Sequence, residues 1–568
     1  MNPSDDILGL LRPALIHHAE GRQADAEALY RRILEQQPDH PQALGMLALI
    51  LSDGPREAEA EAVLRRHVAL APDAGASLHA LGRLLIRQGR DEEALALLQR
   101  AARLLPALAP AHNDLGAALH RAGQLTEALQ AFERATAIDP GYGVAHANRG
   151  LALQEGRRFE EALQAYGRGL AFTAPDQADL RAAILVQLAQ SARKAGRGHE
   201  AEALLHIERA NRPDHAEIAG ELALLLEQSG KTDEALAVRN DLARRAGLSR
   251  RGLARAGAPK MLLLGVVGGG HTPTRYLVDD DVFEVLSVTL LSPDQPDAPL
   301  GAVPMEELRS ADVVFSTLGD FDHDGGQFAA AARLLAELGK PALNPPAGIA
   351  PTARDQARAL FAGIEGMIVP PVRRLTRQDL RALSLERPTL ARPAGDHGGD
   401  NLTLLLEEAD KDAFLARVTS ESLLTCPFHD YRSPDGHWRK YRLIFVDRQV
   451  FPYHLAIGDE WLSHYWRVQM GLSDWKRAEE EAFLADWRGV FGERAASAAD
   501  AAALRLDLDY GGMDCALTQS GELLLFEANA CVLLHLDEPK ARFGYKHRYV
   551  PPIREAFTRM ALERAGLS

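Results

Sequence analysis

Cysteine is scarce in this chain: Cys426, Cys515 and Cys531 are the only three in 568 residues. Their spacing supports neither a disulfide framework nor a zinc site. Long apolar runs are missing too. The longest, 43–51 and 261–267, fall short of the roughly 20 residues a membrane span needs. The first residues, MNPSDDILGLL, carry acid where a signal peptide carries positive charge. Together these absences predict a cytoplasmic protein. An excess of positive charge is also lacking. The net charge of −15 argues against general binding to nucleic acid or anionic membranes, which rests on clustered cations. Local basic groups remain: Arg373, Arg374 and Arg377 either hold a phosphate or form a solvated face.

What is present is a repeat. Ala26, Ala60, Ala94, Ala128 and Ala162 are spaced by 34 residues, and Gly82, Gly116 and Gly150 keep that period. So do Pro38, Pro72, Pro106 and Pro140. Three residue types in one register predict a tandem array. Each unit reads as two amphipathic helices. In the third, Leu81, Leu84 and Leu85 stripe one helix, and Ala94, Leu95, Leu97 and Leu98 face inward on the next. The small residues mark close crossings, and proline ends each second helix because it has no N–H to donate. One unit cannot bury its own apolar face, so units stack into a solenoid. The stretch HNDLGAALHRAGQLTEALQAFERATAIDP, residues 112–140, resembles the tetratricopeptide (TPR) repeat. The resemblance covers about 5–245 as about seven units, and weakens after Pro175, where Pro213 follows at 38 rather than 34. It implies binding of a peptide or protein rather than catalysis by this half. His79, His112, Asn113, His146 and Asn148 are either groove contacts or polar surface residues kept through duplication.

The basic, glycine-bearing stretch 248–259 reads as a linker. After it the periodicity changes. Apolar, β-branched runs at 261–267, 283–291 and 312–318 and a helix at 327–338 predict a small parallel α/β domain over 260–350. Gly268, Gly269 and Gly270 follow the first strand and either approach a phosphate or make a tight turn. They have neither the G-x-G-x-x-G spacing nor a P-loop lysine.

The chemistry is concentrated further on. Residues 508–530, LDYGGMDCALTQSGELLLFEANA, read as a hairpin of strands 513–517 and 523–527 around Gln519, Ser520 and Gly521. Asp514, Glu527 and Asn529 follow the pattern D-x12-E-x-N. Glu527 and Asn529 are two apart, so they share one face, and Asp514 on the paired strand reaches it. Two carboxylates and an amide oxygen are hard ligands suited to Mg²⁺ held against phosphates. An apolar run leads straight into Glu527, where a carboxylate is costly unless a cation or donors meet it.

This segment resembles the metal-binding end of the ATP-grasp superfamily. The resemblance implies an α+β nucleotide-binding and catalytic domain over 351–568 that uses ATP and Mg²⁺. The whole chain would then be a multidomain protein: an all-α TPR solenoid over 1–247, an α/β pre-ATP-grasp domain and the ATP-grasp domain. In PTLARPAGDHGGDNLTLL, 388–405, the resemblance implies that Arg392 at a strand end meets the phosphates. Gly395, His397, Gly398 and Gly399 would form the loop over them. Residues 423–428, with Cys426 and Phe428, resemble the hinge that holds adenine, and Lys440 and Arg442 resemble the basic pair that holds phosphate and substrate carboxylate. Many relatives carry Asp-Lys where this chain has Asp355-Gln356, so Arg354 or Arg358 would have to substitute. Some peptide ligases carry an arginine where this chain has Gly512. The implied activity is carboxylate–amine ligation through an acyl phosphate, on a small-molecule or peptide acid and amine. A phosphotransferase or a non-catalytic scaffold stands as the alternative. Cys531 sits in an apolar run and reads as a buried structural thiol; His535 and His271 are candidates for the pocket wall.

Overall fold

The computed structural model describes residues 3–567 apart from 53, 254, 256, 268–271, 292–299, 301–302, 320–326, 397–398, 400, 464, 466–467, 469 and 537–539. The chain forms two units, Met1–Ala235 and Leu236–Ser568.

The first unit is helical. Among the described residues the helices run from α1 (Pro3–Ala19) to α14 (Thr232–Ala246), and the first twelve pack in successive pairs; α14 ends in the second unit. The repeated alanines Ala26, Ala60, Ala94, Ala128 and Ala162 are all fully buried. The repeated glycines explain themselves by what a side chain would strike. A Cβ on Gly82 would lie 2.6 Å from Leu98, on Gly116 2.6 Å from Phe132, and on Gly150 2.7 Å from Tyr166. Helices can approach this closely only where one of them has no side chain. Pro38 follows the end of α2 (Gln23–Gln36) by two residues, as Pro140 follows α8 (Leu125–Ile138). The lapse from 34 to 38 lies in α11 (Ala178–Lys194), which has 17 residues where α9 (Gly143–Glu155) has 13. Four extra residues add about one turn and return the chain to the same face. Leu95 and Leu97 are only half-buried, unlike Ala94 and Leu98.

In the second unit, β1 (Ser249–Gly252), β2 (Lys260–Val266), β3 (Glu284–Leu290), β4 (Val313–Ser316) and β5 (Ala342–Leu343) form one sheet in the order β1-β3-β2-β4-β5. All its pairings are parallel except β1 with β3. The parallel α/β expectation holds here, but the linker expectation for 248–259 does not, because β1 lies inside it. The charges that made the stretch look like a solvated linker are paired: Arg250 donates to Glu284 at 2.9 Å and to Glu307 at 2.6 Å, and Arg251 pairs with Asp280. An edge strand needs backbone partners on one side only and tolerates charge and glycine.

The remaining strands are β6 (Met367–Ile368), β7 (Arg373–Thr376), β8 (Thr389–Pro393), β9 (Thr403–Leu405), β10 (Ser422–Pro427), β11 (Trp438–Val446), β12 (Gln449–Gly458), β13 (Tyr510–Leu517) and β14 (Leu523–Asn529). They make a four-stranded antiparallel sheet, β7-β10-β8-β9, and a five-stranded sheet, β12-β11-β13-β14-β6. The β11–β12 hairpin turns on Asp447 and Arg448, both at positive φ (45° and 64°), and β13–β14 turns through Gly521 at φ 76°. The four-stranded sheet has its own small core, including Leu380, Leu405, Phe414 and Leu423. The five-stranded sheet instead shares its cores with the parallel sheet: Phe315 of β4 packs on Tyr510 of β13 and on Phe557 of the helix Pro551–Ala565. Asn344, fully buried at φ 50°, donates to the Tyr510 carbonyl and accepts from the Tyr510 N–H. The division expected at 350/351 therefore does not separate two cores. The separately packed lobe is the four-stranded sheet with its helices.

Candidate functional site

A cavity of about 470 Å³ lies between the four-stranded and five-stranded sheets. β8 and β10 supply one wall, with Arg392, Cys426 and Pro427. β11, β13 and β14 supply the other, with Lys440, Arg442, Asp514, Glu527 and Asn529. Phe428, Gly399 and Arg354 also line it. The side chains face one way because the register sets them so. Arg442 pairs directly with Asp514, Asp514 with Glu527, and Gly512 with Asn529 across adjacent strands. Lys440 is two residues from Arg442 and shares its face. β-bulges at Arg442/Leu443 and Asp514/Cys515 flank this row, as bulges often do beside functional side chains.

Asp514, 8% exposed, accepts from Arg442 through both oxygens at 2.6 and 2.9 Å and from Lys440 at 2.6 Å. Burial opposes its charge, and Arg442 and Lys440 outweigh that, holding its carboxyl well below the usual carboxylate range. Glu527 accepts from Arg354 at 2.7 Å and from the Asn529 Nδ2 at 2.6 Å, while the Asn529 Oδ1 accepts from the Cys531 N–H at 3.0 Å. The cost of a carboxylate at the end of the apolar strand is thus offset by donors. Arg354, Arg392, Lys440 and Arg442 set four cations against two carboxylates, so the cavity favours an anion.

Among the described residues no group of three or more His, Cys, Asp and Glu gathers as a metal cluster. The donor set here is of another kind. Asp514, Glu527 and Asn529 are three hard oxygen donors on paired strands, which fits a divalent cation that arrives with an anionic ligand to occupy the surplus cations. Part of the lining is aromatic, with Phe428, Tyr431, Trp461 and Phe526. Phe428 meets Trp461 at 5.8 Å and Trp438 at 6.1 Å, and Tyr431 meets Phe526 at 4.9 Å between ring centroids. Trp461 and Tyr431 lie in loops, where no spacing in the sequence points to them. Burial pushes the Cys426 thiol up to about 11, so it packs rather than reacts.

Some expected residues stand elsewhere. His397 and Gly398 lie outside the described residues, as do Gly268, Gly269, Gly270 and His271. Gly395 has the left-handed backbone its loop needs (φ 82°) but is not part of the cavity lining. Gln356 and Arg358 are exposed, which leaves Arg354 as the cation at that corner. Gly512 cannot be an arginine here: a Cβ on it would lie 2.4 Å from the Leu443 carbonyl. Cys531, expected to be buried, is half-buried on the cavity wall, while His535 is buried off it. Arg374 pairs with Asp355 at 2.9 Å, and Arg377 donates to the Leu415 carbonyl at 2.6 Å, capping a helix end. In the array, His112 and His146 bond the carbonyls of Pro106 and Pro140 at 3.3 and 2.9 Å, so this repeated histidine ties down the turn between units. Asn148 donates to Asn113 at 2.9 Å, and His79 pairs with Asp114 at 2.8 Å.

Models of the tetratricopeptide repeat match residues 14–75, 79–143 and 143–254. No curated protein matches the chain. Similar solved structures include YrrB, "a TPR protein with an unusual peptide-binding site", at 22% identity over 30% of this chain and 93% of that one, TM-score 0.27. PilF of Pseudomonas aeruginosa is 18% identical over 38% of this chain and 97% of its own, TM-score 0.32. MamA from Desulfovibrio magneticus RS-1 is 18% identical over 30% and 95%, TM-score 0.28. No helix among the described residues is long and apolar enough to cross a membrane. Residues 14–254 are tetratricopeptide repeats, a fold that commonly binds peptides or proteins and serves as an interaction scaffold.

Proposed function

We propose that the C-terminal unit is an ATP-grasp-type carboxylate–amine ligase and that the repeat array recruits the peptide or protein on which it acts. The observation that supports this reading is the gathering of Arg354, Arg392, Lys440 and Arg442 with Asp514, Glu527 and Asn529 in one cavity between two sheets. Asp514, Glu527 and Asn529 would hold Mg²⁺, which when bound neutralises the triphosphate. Arg392, Lys440 and Arg442 hold phosphate oxygens and stabilise charge as it moves between them. Phe428 and Trp461, packed edge to face, offer apolar ring surface to a nucleobase. Gly399 lines the cavity, and Asn401 beside it donates to Asp396 at 2.6 Å; this edge of the cavity would help to keep water from the phosphates. The reaction is a substrate carboxylate taking the γ-phosphoryl group to give an acyl phosphate and ADP. An amine then displaces phosphate to give an amide.

A second reading, a scaffold with a degenerate nucleotide site, is favoured by the exposed Gln356 where relatives carry lysine. Calorimetry of the full chain with ATP and Mg²⁺, followed by ADP release with candidate peptides, separates the two. Ligase action predicts binding, and turnover that Glu527→Ala abolishes. Absence of binding leaves the scaffold. Phosphorylated acid as the final product would mean a phosphotransferase.

A further inference from the structure

Each of the three residues of the proposed metal site already has a partner. Asp514 is held by Lys440 and Arg442, and Glu527 by Arg354 and Asn529, whose own oxygen faces the Cys531 N–H. A bare divalent cation entering here would meet three cations beside two carboxylates. Arginine does not relieve that repulsion by losing its proton.

The three cations are not equally fixed. Lys440 and Arg442 stand on β11, whose backbone is paired to the strand of Asp514, so both side chains start directly beside that carboxylate. Arg354 comes from the turn between the 3-10 turn Ala350–Thr352 and the short helix Ala357–Leu360, outside any sheet. Its side chain is 11% exposed at the cavity and reaches Glu527 across 173 residues of sequence. It is the cation on Glu527, and it can exchange partners by moving one side chain while Lys440 and Arg442 stay beside Asp514.

We propose that Arg354 is a gate residue: it occupies Glu527 until a triphosphate draws its guanidinium away, so that divalent-metal binding is conditional on nucleotide. The inference rests on the nucleotide reading above and adds an order of binding to it. The exchange is electrostatically balanced. The phosphates take over the arginine, and the freed carboxylate takes the cation that the phosphates bring. By linkage, the factor by which nucleotide tightens metal equals that by which metal tightens nucleotide.

The test uses Mn²⁺ as probe, with free Mn²⁺ counted by electron paramagnetic resonance on the full chain, with and without a non-hydrolysable ATP analogue. In the native chain the analogue should tighten Mn²⁺ binding by about tenfold or more. Arg354→Gln should tighten Mn²⁺ alone by a similar factor and remove most of the further gain. Arg354→Lys, which is shorter and loosens the contact, should fall between. If Arg354→Gln is folded by circular dichroism yet binds Mn²⁺ alone no better than the native chain, the gate is overturned and the nucleotide site stands. If Arg354→Gln does not fold, Arg354→Lys decides, and an unchanged Mn²⁺ affinity overturns the gate. If the native chain binds no analogue with Mn²⁺, the nucleotide reading falls and the gate with it.

Discussion

Both units are rich in ion pairs, and the two sets are built differently. In the array, Arg31 joins Glu27 and Glu59 at 2.8 and 2.5 Å, and Arg56 joins Glu27 at 2.6 Å. The same quartet recurs 34 residues on, where Arg65 joins Glu61 and Glu93 at 2.8 and 2.6 Å and Arg90 joins Glu61 at 2.6 Å. These arginines are 39–47% exposed, so water and salt screen them. Around the cavity nothing repeats. Asp514 is buried, its partners come from one strand, and cations outnumber carboxylates. The residue types are the same in both places. Charge that recurs with the repeat and faces water belongs to the architecture, whereas aperiodic charge held out of water is kept at a cost and marks chemistry.

The sharpest break in that comparison should come from removing one buried partner. Asp514→Ala leaves Lys440 and Arg442 facing each other without a counter-charge and should destabilise the C-terminal unit by about 3–5 kcal/mol. Urea unfolding of the full chain reads this, and the loss should persist in high salt. A loss below about 1 kcal/mol would put the cavity charges in the same class as the surface quartets. In the array the vulnerable positions are steric. Gly116→Val drives a side chain into Phe132 and should cost about 1–3 kcal/mol in the same measurement, with no effect on nucleotide binding.

That contrast also explains what was legible in the sequence. The repeats could be read because one structural demand, a close crossing at Gly82, Gly116 and Gly150, recurs at a fixed interval. Asp514, Glu527 and Asn529 could be read because they sit on a local hairpin, where spacing sets facing. The partners that come from afar were harder. From the sequence Arg354 is only one of two candidate substitutes and Trp461 carries no signal, because both reach the cavity from irregular segments. The edge strand β1 was hidden by its arginines, whose acidic partners lie 29 to 57 residues away. No local pattern reveals the buried pair Glu480 and Lys546, 3.5 Å apart, whose residues stand on separate helices.

Acid should reach the C-terminal unit through His454, which pairs with Arg442 across β11 and β12 and stacks on Tyr465 at 4.5 Å. Burial first, then Arg442 and Lys546, hold its pKa well below the ordinary 6.5. The folded chain therefore refuses a proton that the unfolded chain accepts. The stability is intact above 6.5 and is lost as the pH falls from there towards the folded value, by about 1.4 kcal/mol per pH unit. Unfolding curves taken between neutral and mildly acidic pH should show this slope. His454→Phe, which keeps a ring on Tyr465, should flatten it. An unchanged slope in that variant would assign the acid sensitivity to other groups.

The smallest effect is expected where the charges are most numerous. Arg56 first, and then Arg31, hold the Glu27 carboxyl at about 2, below its ordinary 4.5. Its contribution is present above 4.5 and is lost as the pH falls towards 2, a window lower than that of His454. Because the arginines are exposed, Glu27→Gln should cost only about 0.2–1 kcal/mol, and high salt should erase most of it. Thermal unfolding in low and high salt measures both. The quartet recurs, so Glu27→Gln and Glu61→Gln should add when combined, as separate screened pairs do. A double variant that loses much more than the sum would mean that neighbouring quartets couple along the array, and the repeated charges would then work as one network.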